Sequence, residues 1–194
     1  MKINERTKII GSNTILVPYM DSHVPKYHNW MKSEELQRLT ASEPLTLEEE
    51  YNMQKSWRED EDKCTFIILD KSTYEANENE IESMIGDTNI FLLDKDNCIG
   101  EIEIMIAEKS ARSKKFGWEA VILMILYGIK YIHLKIIEAK ISFTNDISVR
   151  MFNKLGFVEK SRSEIFKEIT LEKIVDAEWL NWLQNQVTYE LQSY

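Results

Sequence analysis

The chain has 194 residues, with 24 Lys and Arg against 33 Asp and Glu and a formal charge of −9. Hydrophobic residues make up 43% and charged residues 29%, an ordinary globular composition, and the length suits one domain that buries roughly 70% of its unfolded surface. The acidic balance disfavours duplex nucleic acid as a partner, because neutralising phosphates needs a cationic face.

The six glycines, Gly11, Gly86, Gly100, Gly117, Gly128 and Gly156, stand at least eleven residues apart. That spacing excludes a dinucleotide-binding glycine fingerprint and a Walker A loop. Cys64 and Cys98 form no C-x-x-C pair and there are only three histidines, so no metal site is expected. The opening MKINERTKII is charged and lacks the apolar core of a signal peptide. The most apolar stretch, Val121–Tyr127, is far too short to span a bilayer. These features lead us to expect a reduced, cytoplasmic protein with no membrane partner.

In chain order, Thr14–Tyr19 predicts a strand ended near Pro18, and Ser22–Met31 a helix with Pro25 in its first turn. Thr46-Leu47-Glu48-Glu49 is a capping box that opens a helix to about Arg58, with Leu47, Tyr51 and Gln54 on one face. Thr65–Asp70 predicts a strand, and the acidic Lys71–Met84 an exposed loop. Asp87–Leu93 and Cys98–Ala107 predict a hairpin joined by Asp94-Lys95-Asp96-Asn97. Gly117–His133 is apolar on all sides and predicts a buried helix. A strand over Ile136–Phe143, a helix over Asp146–Leu155 stopped by Gly156, and strands over Phe157–Ser161 and Ile165–Ile174 follow. Asp176–Leu191 carries Trp179, Leu183, Val187 and Leu191 at helical spacing. It predicts an amphipathic C-terminal helix, residues 176–194, packed on a domain of residues 1–175, with Trp179 and Trp182 as core anchors. The result is an α/β fold with a mixed central sheet.

Two segments carry the chemistry. Glu108–Glu119 (EKSARSKKFGWE) joins a strand to the buried helix and holds Lys109, Arg112, Lys114 and Lys115. The unpaired N–H groups of a helix N-terminus make an anion site, which added cations strengthen. On its residues alone this turn reads as a polyphosphate cradle or as a solvated basic loop. In the preceding strand Glu101 and Glu103 alternate with Ile102, Ile104 and Ile106. They read as general-base candidates, Glu103 before Glu101, or as outward-facing solvated residues. His23 and His28 read as surface or core histidines, and His133 as a cation suited to a helix C-terminus.

The second segment, Asn145–Phe157, reads N-x-x-S-x-x-x-F-x-K-L-G-F. It resembles the C-terminal signature of the GNAT N-acetyltransferases, usually N-x-x-A/S-x-x-x-Y-x-K-x-G-F. The basic turn, Arg112-Ser113-Lys114-Lys115-Phe116-Gly117, is similar to that family's acetyl-CoA loop, R/Q-x-x-G-x-G/A, and Glu119-Ala120 resembles its ribosomal-protein N-terminal acetyltransferases. The order of elements matches over about residues 10–175. The long stretch KSEELQRLTASEPLTLEEEY, with LVPY, HVPKYH and GEIEIMIAE, further resembles one individual member of the family.

The resemblance implies a mostly antiparallel central sheet with a splayed strand pair, flanked by helices, and acetyl-CoA as acetyl donor. It implies that Ile104, Met105 and Ile106 bond the pantetheine like an added strand. It places Ser113, Lys114, Lys115, Phe116, Gly117 and Trp118 at the pyrophosphate, with Arg112 heading the loop. Asn145, Ser148 and Phe152 are implied along the cofactor arm. The loop of Leu39, Thr40 and Glu43 is implied at the acceptor rim, the acceptor being a protein or peptide amine, an N-terminus foremost. Two positions depart from the pattern. Lys115 stands where the loop usually has glycine, and Phe152 where relatives place a tyrosine that protonates the leaving thiolate; Phe has no proton to give. The readings that follow are an N-acetyltransferase acting as a monomer or weak dimer, a silent acetyl-CoA-binding interaction module, and a small-amine acetyltransferase.

Overall fold

The structure, a computed structural model, describes residues 2–194. Nine strands form one sheet: β1 Thr7–Ile10, β2 Thr14–Pro18, β3 Lys63–Asp70, β4 Met84–Asp94, β5 Ile99–Ile106, β6 Ile136–Ser142, β7 Val158–Ser163, β8 Glu168–Ile174 and β9 Glu190–Ser193. Their order is β7-β8-β6-β5-β4-β3-β2-β1-β9. Every neighbouring pair is antiparallel except β5 and β6, which run parallel. That parallel register covers only Ile99–Glu101 against Ile136–Glu138, after which the strands separate. The separation creates the site.

Strand alternation buries both faces of the sheet. One face sets Leu16, Phe66, Ile68, Ile90 and Ile102 against α6 (Phe116–Tyr127), α7 (Asp146–Lys154) and α8 (Ala177–Gln184). The other sets Ile15, Val17, Ile67, Leu69 and Met105 against α1 (Val24–Trp30) and α2 (Glu34–Leu39). The apolar α6 is buried from Glu119 through Tyr127 and ends in a π-turn, Gly128–Ile132. Near its start, the buried Glu119 accepts hydrogen bonds from the amides of Ser12, Asn13 and Thr14 at 2.7–2.9 Å and from the Thr14 hydroxyl at 2.8 Å. This carboxylate clamps the β1–β2 turn to the helix. Gly86 sits where β4 presses on β5; a Cβ there would collide with the Met105 carbonyl oxygen.

Four sequence expectations are corrected. Lys71–Met84 is not a loop but α4 (Lys71–Asn77) and α5 (Glu80–Ser83), capped by Asp70 and Asn79. Side-chain caps, not apolar periodicity, start these two helices. The capping box at Thr46 and Glu49 starts α3 (Leu47–Glu59) as expected, but Glu50 and Gln54 face inward while Leu47 and Tyr51 are exposed. Met53 and Trp57 pack on the core and set that rotation. The C-terminal helix stops at Gln184, and Glu190–Ser193 returns as β9 beside β1. Val187 and Leu191 still pack on the core, so their helical spacing reports burial rather than helix. A short helix, α2, occupies the linker between the first two expected helices, with Ser33 as its cap.

Candidate active site

Beyond Glu101, β5 has no strand beside it on the β6 side, so the main-chain groups there lack a sheet partner. A cavity of about 300 Å³ fills the gap. Ile104 and Met105 of β5 form its floor, and Ile141, Ser142, Asn145, Ser148 and Phe152 form the wall along β6 and α7. Asn145 caps α7, its side chain accepting from the Ser148 amide at 3.2 Å. Phe152 is 2% exposed and packs edge-on against Phe157 at 5.0 Å between centroids.

The rest of the cavity mixes apolar residues, Leu39, Ala41, Trp57 and Ile102, with polar ones, among them the cations Arg38, Lys63 and Lys140. Four carboxylates line it: Asp87, Glu101, Glu103 and Glu168. Glu101 sits at the vertex of the splay and pairs with Lys140 at 2.5 Å; burial nonetheless pushes its carboxyl above the usual range. Glu103 lies at the mouth with its side chain 52% exposed, 3.9 Å from the Lys63 ammonium. Lys63 in turn stands 3.6 Å over the Trp57 ring. Asp87 is 3% exposed, and one of its oxygens accepts from the Asn89 amide at 2.8 Å. Burial pushes its carboxyl up to about 7, with Glu103 raising it further and the Asn89 bond and Lys63 opposing the rise. Tyr27 of α1 faces the same space, its phenol held well above its ordinary value by burial.

At the far end of β5 a turn leads into α6. Ser113 (φ 62°) and Lys115 (φ 66°) both lie in the left-handed region. Such a conformation costs about 1–2 kcal/mol for a non-glycine residue and collects at functional sites. Lys115 is the N-cap of α6 and no side chain caps that helix, so the N–H groups of its first turn are free for an anion. Ser113, Lys114 and Lys115 are exposed beside them. The splayed strand, the twisted turn and the uncapped helix end together fit a thioester on a long polar arm ending in a pyrophosphate.

The sequence-derived candidates fall in three places. Glu101, Glu103, Ile104, Met105, Asn145, Ser148, Phe152, Leu39 and Thr40 line the cavity. Ile106, Phe116, Gly117 and Trp118 lie at the strand end and helix start, where Trp118 meets Trp182 edge-on at 6.4 Å. Arg112 is partly exposed and tied to the protein: its Nε donates to the Ile106 carbonyl at 3.0 Å and its Nη1 pairs with Glu35 at 2.6 Å. Glu43 is exposed and not part of the cavity wall. His23 is a core residue that accepts from the Met20 amide and meets Glu80 at 2.5 Å. Neither it nor His28 reaches the cavity.

Sequence reasoning missed Asp87, Asn89, Tyr27, Lys63, Lys140 and Glu168. One signal was available. Asp87-Thr88-Asn89 is a run of polar residues inside a strand that is otherwise apolar and central in the sheet. Buried polar groups in such a place need a reason.

The family profile described as Acetyltransferase (GNAT) domain matches residues 13–158. The chain is 53% identical to the alpha/beta-tubulin-N-acetyltransferase 9 of Drosophila melanogaster, over 100% of both chains. It is 51% identical to the Homo sapiens protein of the same name, over 97% of this chain and 93% of that one. Among solved structures it resembles the spermidine N-acetyltransferase of Vibrio cholerae in complex with CoA and spermine, with a TM-score of 0.74 and 16% identity over 88% of this chain and 99% of that one, a likeness of fold. The splayed sheet, the amide-lined turn and these matches place the chain in the GNAT acetyltransferase family, as an enzyme that takes its acetyl group from acetyl-CoA.

Proposed function

We propose that the protein acetylates the α-amino terminus of a protein chain, tubulin being the protein in the names of its relatives. The observation that carries the reading is a cavity with four carboxylates beside a strand edge. Four carboxylates and three cations, Arg38, Lys63 and Lys140, line the cavity where β5 has lost its β6 neighbour, and the uncapped start of α6 lies past the end of that strand. The carboxylates attract a cationic amine and oppose an anionic one. Bound acetyl-CoA supplies an activated acetyl carbonyl. Ile102–Ile106 hold its arm in register, and the first turn of α6 with Ser113–Lys115 neutralises its phosphates. Holding amine and carbonyl together supplies most of the rate. Glu103 at the mouth and Glu101 at the vertex hold the ammonium electrostatically. Cys64, buried with its thiol pushed up to about 12, and the free Cys98 suit a reducing cytoplasm.

A second reading draws on Phe152 and Lys115. The cavity wall offers no phenol where relatives have one, and the turn holds a strained lysine where they have glycine. Both features suit an acetyl-CoA-binding interaction module of low turnover. Calorimetry with acetyl-CoA, followed by thiol release against a library of free-amino peptides, separates the readings. The enzyme reading expects binding and turnover of peptides. Binding with no turnover favours the module, and turnover of polyamines alone makes the acceptor a small amine.

A further inference from the structure

The three carboxylates nearest the β5 floor are not equivalent. Glu101 is committed to Lys140 at 2.5 Å. Glu103 is half exposed at the mouth, where water competes for its proton. Asp87 is fixed from one side only. Its Oδ2 accepts from Asn89, whose own oxygen accepts from the Thr65 hydroxyl. Asp87 lines the cavity, and its Oδ1 is buried with no hydrogen-bond partner among the described residues. A carboxylate kept for structure alone uses both oxygens, because an unmatched buried acceptor is costly. The register sets Asp87 opposite Met105, on the part of β5 that has lost its second neighbour.

We infer that Asp87 Oδ1 is the atom that takes the proton from the acceptor ammonium. This deepens, and rests on, the amine-acetylation reading above. One N–H bond of the ammonium breaks, the proton joins Oδ1, and the electron pair stays on nitrogen. That nitrogen forms the new C–N bond as the C–S bond breaks, and it yields a second proton to the departing sulfur. Asp87 returns to the carboxylate by releasing its proton to water past Glu103. Four other groups bear on Asp87: Glu103 from β5, Lys63 from β3, Tyr27 from α1, and Tyr19 from the segment after β2. Lys63 is the only cation among these four. Burial holds the Asp87 carboxyl near neutrality, where a base is ionised yet still binds a proton well.

The test compares wild type, D87N and K63M in peptide acetylation across pH, with infrared titration of the unliganded proteins. D87N is expected to lower kcat/KM by ~10²–10³-fold and to abolish the fall in rate on the acid side of neutrality. K63M removes a neighbouring cation and moves that fall to higher pH. The wild-type infrared spectrum is expected to show a protonated-carboxyl band that titrates near neutrality and is missing from D87N. The folded state binds the Asp87 proton more tightly than the unfolded chain, so the ionised form destabilises as pH rises. D87N therefore melts higher than wild type above neutral pH. A D87N protein with wild-type rate and wild-type acid limb overturns the assignment and leaves amine acetylation standing. If D87N does not fold, an unmoved limb in K63M or the absence of the near-neutral band overturns it instead. A wild type that binds acetyl-CoA but acetylates no amine overturns both readings.

Discussion

In the reading proposed above, acetyl-CoA is met with main-chain atoms along the last residues of β5 and into α6: a strand edge without a β6 neighbour beyond Glu101, a turn bent through two left-handed residues, and an uncapped helix end. The proposed acceptor side is built from side chains that arrive from α1, β3, β4, β5 and β8. A donor surface of main-chain atoms needs a backbone path, and at Ser113 and Lys115 that path is left-handed. The acceptor surface depends on each charge and its burial. One site thus combines a surface of main-chain atoms with a surface of side chains.

Four substitutions sharpen or break this contrast. If the donor side is backbone, its integrity depends on groups that hold the scaffold without touching a ligand. Glu119→Ala removes a buried carboxylate that accepts from three main-chain amides, the Asn13 side-chain amide and the Thr14 hydroxyl. It is expected to lower folding stability by about 3 kcal/mol in denaturant titration. A loss below about 1 kcal/mol contradicts the clamp.

Phe152→Tyr adds a proton donor to the cavity wall. If thiolate protonation limits turnover, kcat rises by up to ~10²-fold. The new hydroxyl costs roughly 1–3 kcal/mol of stability unless it finds a partner, so rates are compared at equal folded fraction. An unchanged kcat assigns protonation to water and leaves Phe152 as packing against Phe157.

Arg112→Ala cuts the tie between the β5 carbonyl end and Glu35. Acetyl-CoA affinity by calorimetry is expected to fall by ~1–2 kcal/mol, with KM for the peptide little altered. A change confined to the peptide term moves Arg112 to the acceptor side. Lys115→Gly relieves a left-handed lysine. Stability is expected to rise by about 1 kcal/mol with acetyl-CoA affinity equal or tighter. A large loss of affinity shows that the ammonium itself binds phosphate, and that side chains matter on both sides.

The same contrast explains what was legible in the sequence. The donor side is contiguous: Glu101–Trp118 contains strand, turn and helix start in order, and Asn145–Phe157 supplies the neighbouring helix. Short-range spacing is enough to find both. The acceptor side joins Tyr27, Lys63, Asp87 and Glu168, which are far apart along the chain and meet only through sheet register. No local pattern encodes that meeting. The errors of fold have the same origin. β1 and β9 are four-residue strands that pair with each other across nearly the whole chain, and Leu191 falls in helical phase because burial, not helix, sets its spacing. α4 and α5 have no apolar periodicity in the sequence, and only Asp70 and Asn79 mark their starts.

The central claim is that this cavity joins an acetyl group to a protein's α-amino nitrogen. It is tested most directly by incubating the protein with acetyl-CoA and a lysine-containing peptide with a free N-terminus, then mapping the product by mass spectrometry. The account predicts one acetyl group, on the α-nitrogen, and none when that nitrogen is blocked beforehand. Acetyl found only on the lysine side chain, or no transfer while acetyl-CoA binds, contradicts it.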